Sequence, residues 1–264
     1  MLCLARPWGQ LHYECSGAPD APAVIYANAL GTDLRLWRSV AARIGGMRHI
    51  GFDKRGHGLS TTPVGGWDIG DLADDLVAIM DHLGLERAVI AGCSVGGMIA
   101  QDVGARYPGR VTALILSNTA ARIGTAASWQ ERVDSVRQGG LQAIAPAILE
   151  RWFAPDFRAK PEAVLWGTML ERCDAAGYIG TCGALARADL TAGLGLIAAP
   201  VLALAGGHDQ SIPAEMVKAM AAGIAGCRFA LLPGSGHLPA IDAPAELAAL
   251  ICGFLQDVAA DRAK

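Results

Sequence analysis

Five residues restrict this chain more than any others: Gly92-Cys93-Ser94-Val95-Gly96. They follow an apolar run at 88–91 (AVIA) and open a helical run at 98–106 that stops at Pro108-Gly109. A serine between two glycines at a strand-to-helix turn has its hydroxyl lifted clear of the backbone. The glycines are needed because side chains there would collide with neighbouring backbone. The serine also lies at a helix N-terminus, where unpaired N–H groups favour a developing negative charge. Such a turn needs a strand before it and a covering helix after it, so it points to a layered α/β fold carrying a nucleophilic serine.

The remaining pattern agrees. Continuous apolar runs at 23–27, 49–52, 88–91, 112–116, 201–205 and 228–232 read as buried parallel strands. Runs at 2–5 and 11–15 read as an antiparallel hairpin at the sheet edge. Ile69, Leu72, Leu76, Ile79, Met80 and Leu83 make one helical stripe, closed by Gly84. Leu247, Leu250, Ile251, Phe254, Leu255 and Val258 make another, with Asp242 as its expected N-cap and Pro244 in its first turn. This alternation predicts a mostly parallel, doubly wound sheet. It lapses between 119 and 189, where helical patches at 143–153, 162–173 and 178–187 occur without a strand. The expected organisation is a core from 1–118 and 190–264. A helical lid, 119–189, is inserted after the sixth strand, over the sheet edge where ligands of such folds bind.

Composition removes several function classes. With 52% hydrophobic residues and a net charge of −3, the chain is neither disordered nor equipped to neutralise nucleic-acid phosphates. The first residues hold no apolar signal region, and the longest uncharged stretch, 190–207, is broken by Pro200 and four glycines. No membrane segment is expected, and the expected location is cytoplasmic. Seven cysteines, an odd number without CxxC spacing, read as reduced thiols, and six histidines show no HxxxH spacing. No metal is expected.

A nucleophilic serine needs a base, and the base an orienting acid, in the chain order Ser, Asp or Glu, His. His237, after the last strand, follows a plausible acid, Asp209, which stands just beyond the 201–205 run. Ser94, Asp209 and His237 thus come from separate loops at one edge of the sheet. Ser117-Asn118-Thr119, after the sixth strand, supplies no acid, and His57 stands too early in the chain for this order. His208 reads as structural, and His12, His49 and His82 as surface or packing residues. The oxyanion hole should combine the N–H of Val95 with that of Leu30, from the loop Asn28-Ala29-Leu30-Gly31.

Several pieces carry a narrower likeness. They are Asn28-Ala29-Leu30-Gly31-Thr32-Asp33 before a helix bearing Trp37, Phe52-Asp53-Lys54-Arg55-Gly56-His57-Gly58-Leu59-Ser60, and the five-residue turn itself. Glu150-Arg151-Trp152-Phe153, Tyr178-Ile179-Gly180-Thr181-Cys182 and Gly236-His237 complete the set. With them the chain resembles α/β-hydrolases, and among these bacterial 3-oxoadipate enol-lactonases. Asn28 stands where many of the superfamily have histidine. The resemblance implies an α/β-hydrolase fold and hydrolysis of a small anionic lactone by acyl transfer to water, without a cofactor. Some of that family carry a fused decarboxylase domain; none is expected here, because the sequence ends soon after its last expected helix. Other readings on the same scaffold are a carboxylesterase, a thioesterase, a cofactor-free perhydrolase, or a ligand receptor. A dehalogenase is disfavoured, since the turn carries serine rather than aspartate. The substrate carboxylate calls for a placed cation, because region 119–189 holds eight basic and eight acidic residues and so no bulk positive field. Arg132, three residues after Trp129 and on the same helix face, is the first candidate, with Trp129, Trp152 and Tyr178 as pocket walls. Self-association is left open.

Overall fold

The computed structural model describes residues 1–262. Its sheet has eight strands: β1 (Leu2–Arg6), β2 (Gly9–Ser16), β3 (Ala23–Ala27), β4 (Arg48–Phe52), β5 (Ala88–Cys93), β6 (Val111–Ser117), β7 (Val201–Gly206) and β8 (Arg228–Leu232). Their order is β1-β2-β4-β3-β5-β6-β7-β8; β1–β2 and β2–β4 pair antiparallel, and every other neighbour pair is parallel. β3, β5 and β7 are buried at every residue, as strands covered on both faces must be.

The short α1 (Arg38–Ala41) follows a 3-10 turn that holds Trp37, so that tryptophan precedes the helix rather than lying in it. α2 (Ile69–His82) begins with a capping box between Asp68 and Asp71. It packs beside α3 (Val95–Arg106), which lies across β3, β5 and β6. α3 starts three residues earlier than its apolar pattern suggests, because the turn at Ser94 leads straight into it.

Between β6 and β7 lie α4 (Ala126–Trp152), α5 (Pro155–Arg158), α6 (Pro161–Glu171) and α7 (Ala175–Arg187). The first half of α4 is invisible to periodicity because only Val133 and Val136 are buried before Gly140. Gly140, at φ 68°, then breaks the helix into two arms. The ends of this helical region meet where Leu190 N–H donates to Ala121 O at 2.9 Å. α8 (Ala214–Ala222), α9 (Pro239–Asp242) and α10 (Pro244–Arg262) follow. Asp242 ends α9 instead of capping α10, since its carboxylate is taken by the loop before His237. Among the described residues no helix is long and apolar enough to cross a membrane.

The sheet order reverses at β3, from which the chain proceeds to β4 on one side and to β5 on the other. The loops leaving β3 and β5 therefore face each other across the crevice where ligands of open α/β sheets bind. Their spacing is set by glycine. A Cβ on Gly92 would lie 2.1 Å from Gly96 O, and one on Gly96 would lie 2.2 Å from Ala27 O at the end of β3. Both obstacles are backbone and cannot rotate away. Gly96→Ala is therefore expected to cost about 3 kcal/mol or more, the upper range for overpacking, as read from urea unfolding; a loss below about 1 kcal/mol would contradict this close packing.

Candidate active site

Ser94 sits at φ 56° and ψ −120°, a strained conformation for a residue with a side chain. Two hydrogen bonds pin it: its N–H donates to Ser117 O at 3.0 Å, and Thr119 Oγ1 donates to its carbonyl at 2.7 Å. The end of β6 thus holds the turn at the end of β5.

His237 is equally fixed. Its backbone N–H donates to Trp152 O at 2.7 Å, which ties this loop to the end of α4. Its Nδ1 meets Asp209 Oδ2 at 2.8 Å, with both side chains buried. Asp209 Oδ1 accepts the N–H groups of Ser211 (2.7 Å) and Ile212 (2.9 Å), while Oδ2 also accepts Asn118 Nδ2 at 2.8 Å. Burial works to raise the pKa of this carboxyl, but His237, Asn118 and the Ile212 N–H outweigh it and hold it below the usual carboxylate value.

Asn118 supplies no acid, yet it orients the one that Asp209 supplies, and it also donates to Gly236 O at 3.1 Å. Nothing local reveals this, because the two residues are 91 apart in sequence. Asp242 braces the same loop: its carboxylate accepts Gly236 N–H at 2.7 Å and the Ser235 hydroxyl. Burial raises the pKa of Asp242. Cys93, beside the serine, is buried and its thiol pKa is pushed far up, so it stays protonated.

A cavity of about 380 Å³ opens above these groups. Leu30, Ser94 and His237 line it from the core loops, and Trp129, Arg132, Arg151, Trp152 and Tyr178 from α4 and α7. Val95 lies behind it, buried in the first turn of α3. Within the described residues, the N–H groups of Leu30 and Val95 meet no acceptor. Arg132 donates to the Tyr178 hydroxyl at 3.2 Å, and the Trp129 indole donates to Ile123 O at 2.6 Å.

Arg151 is an addition that periodicity could not supply. It lies in the second arm of α4 and Arg132 in the first, and the bend at Gly140 lets one helix put both on the same wall. Neither arginine forms an ion pair among the described residues, and Glu131 is the carboxylate on that wall. His57 is not in this cavity: it is buried behind the loop at 28–32, where its Nε2 accepts Gly31 N–H at 3.1 Å. His208 is exposed. A second cavity, of about 560 Å³, lies against Gly31 and Asp33 and touches neither Ser94 nor His237. Among the described residues no group of His, Cys, Asp and Glu is arranged to hold a metal ion.

The family model described as the alpha/beta hydrolase fold matches residues 22–244. The chain belongs to the α/β-hydrolase family. It is 41% identical over 202 residues to 3-oxoadipate enol-lactonase 2 of Acinetobacter baylyi, covering 75% of this chain and 76% of that one. The crystal structure of the enol-lactonase from Burkholderia xenovorans superposes with a TM-score of 0.93 at 32% identity, over 97% of this chain and all of that one. A thermophilic esterase from Thermogutta terrifontis, solved with malate bound, gives a TM-score of 0.89 at 29% identity, over 97% of each chain. This α/β-hydrolase thus carries the strand order, the serine turn and the buried His–Asp pair on one framework.

Asn118→Ala should lower stability at pH 7 by about 1.5–3 kcal/mol, the range for a hydrogen bond to a charged group. Asp209 has a depressed pKa when folded, so its stabilisation is present above the unfolded carboxylate value and is lost as pH falls through the folded one. The penalty of Asn118→Ala should therefore shrink between pH 7 and about pH 3. Denaturant titrations at both pH values check this; an equal penalty at both would contradict it.

Proposed function

We propose that this α/β-hydrolase opens 3-oxoadipate enol-lactone to 3-oxoadipate through Ser94, His237 and Asp209. The observation that carries the reading is the joining, in one cavity, of Ser94 and His237 with Arg132 and Arg151, which form no ion pair among the described residues. Similarity to enol-lactonases over most of the chain supports the same substrate class. The malate bound to the Thermogutta esterase supports a carboxylate-binding pocket on this scaffold.

On this reading the reaction is acyl transfer in two halves. His237 Nε2 takes the proton of Ser94 Oγ as that oxygen attacks the lactone carbonyl carbon. Negative charge moves to the carbonyl oxygen, where the N–H groups of Leu30 and Val95 receive it. Removing one such donor typically costs about 100- to 1000-fold in rate. Collapse re-forms the C=O and breaks the ring C–O bond, and His237 returns its proton to the departing enol oxygen. The enol stays tethered as part of the acyl group and tautomerises to the ketone. Water, deprotonated by His237, then attacks the acyl carbon, and Ser94 Oγ leaves with the proton. Asp209 holds Nδ1–H in place and stabilises the imidazolium. The helices of region 119–189 act as a lid that keeps bulk water from the acyl-enzyme, and Trp129, Trp152 and Tyr178 wall the ring.

Arg132 and Arg151 hold the substrate carboxylate, which an uncharged ester lacks. The test is steady-state hydrolysis of enzymatically generated 3-oxoadipate enol-lactone beside p-nitrophenyl acetate. Lactone kcat/KM should far exceed that for the ester, and Ser94→Ala should abolish both. Brisk ester cleavage with negligible lactone turnover would move the assignment to a carboxylesterase. Arg132→Ala and Arg151→Ala should each raise KM for the lactone about 10-fold, the worth of one charge-assisted hydrogen bond. Ester kinetics should hold within about twofold; equal losses on both substrates would remove the arginines from carboxylate recognition.

A further inference from the structure

The loop that carries Leu30 is held from behind by a lysine that the reaction scheme leaves unused. Lys54 follows β4 and is only 1% exposed. Its Nζ donates to Ala29 O at 2.6 Å, to Asn28 Oδ1 at 2.8 Å and to Thr32 O at 3.3 Å. These three oxygens bracket Leu30 in sequence. We propose that Lys54 is a positioning residue for the oxyanion hole, its buried ammonium holding the 28–32 loop in the shape that presents the Leu30 N–H. This rests on the assignment of Ser94 as nucleophile and Leu30 as donor.

Three features support the proposal. First, the acceptor set matches an ammonium, which has three N–H donors; a neutral amine has two, and its lone pair would face the third oxygen. Second, no carboxylate pairs with Lys54 among the described residues, and its ammonium is buried with loop oxygens as its hydrogen-bond partners. An unpaired buried charge is costly, and an apolar chain of the same length would fill the space without that cost. Third, the loop is braced in the complementary sense by His57. Its Nδ1 donates to Arg55 O at 3.3 Å, which leaves Nε2 to accept Gly31 N–H. Burial, and then the charge of Lys54, push the His57 pKa well below its ordinary value, so it remains an acceptor. Carbonyls at 29 and 32 are thus held by a cation and the N–H at 31 by a neutral imidazole, with the N–H of Leu30 left between them.

The same burial makes the brace sensitive to pH. Desolvation pulls the Lys54 pKa down to about 7. The groups around it are Asp53, Asp33, Cys173, Cys93 and His57. Burial pushes the Cys173 thiol up to about 11 and the Cys93 thiol well above its ordinary value, so both stay neutral near pH 7. The Asp53 carboxylate is engaged by His12 and by the N–H groups of Leu34 and Leu59. Lys54 is charged below its folded pKa and neutral above it, so the brace is present on the acid side and weakens as pH rises through about 7.

The experiment measures kcat and KM from about pH 5.5 to 9.5 for the wild type, Lys54→Met and Asn28→Asp, on p-nitrophenyl acetate as well as the lactone. Wild-type kcat should decline on the alkaline side of about pH 7. Lys54→Met should lose about 100-fold in kcat, the scale of a misplaced catalytic group, with KM held within about threefold and the alkaline decline abolished. Asn28→Asp sets a carboxylate against the ammonium and favours its charged form, so the decline should move up by about one pH unit or more. Lys54→Met with wild-type kcat, or with the decline still present, would overturn the proposal. So would a decline that Asn28→Asp leaves in place, and this second variant decides the matter if Lys54→Met does not fold. Because an oxyanion hole serves any ester, the ester arm stands even if the lactone is not the substrate. Undiminished ester cleavage by Ser94→Ala would instead remove the nucleophile assignment, and this proposal with it.

Discussion

The contact on which the site depends is backbone against backbone, where α3 meets the end of β3. Gly96 brings its Cα so near Ala27 O that no side chain fits, and Gly92 does the same toward Gly96 O. Because that approach is close, the loops leaving β3 and β5 border one crevice, and the first turn of α3 shares it with Leu30. A looser contact would move the backbone N–H groups of Leu30 and Val95 apart. The strain at Ser94 is the counterpart: φ 56° is held because bonds to Ser117 and Thr119 leave the turn no other course.

A second hub lies in residues 53–60, a loop that touches no substrate in the reading above. Asp53 binds His12, Leu34 N–H and Leu59 N–H, while Lys54 and His57 grip the 28–32 loop. Arg55 donates to the fully buried Asp75, which also takes Arg6 and Trp8 from the edge hairpin. Gly56 lies so close to Gly177 at the start of α7 that a Cβ would sit 2.3 Å from its Cα. The edge of the sheet, α2, the 28–32 loop and the helices that line the cavity are thus joined through eight residues. Buried charge is affordable here because nearly every polar group has a partner.

The helices between β6 and β7 show how far periodicity reaches. α6 and α7 were legible from their apolar spacing, and so was the second arm of α4. Its first arm was not, because it buries too few residues to leave a stripe, and a helix stabilised by end capping and tertiary contacts need not advertise one. Its capping box joins Thr125 to Ser128. Arg132 could be singled out by its distance from Trp129, whereas Arg151 needed the bend at Gly140 to be seen.

By itself the sequence determined the fold class, the serine turn and the chain order of Ser94, Asp209 and His237. Each of these is written in local chemistry: strand-like runs, glycines at fixed offsets, and polar residues at strand ends. Tertiary structure alone decided that Asn118 orients Asp209, that Asp242 braces the loop of His237 rather than capping a helix, and that Lys54 grips the loop beside Leu30. Their roles depend on partners that are 91, 6 and 25 residues away. Short polar side chains bond whatever the fold brings near them, and the sheet, not the spacing along the chain, sets which groups those are.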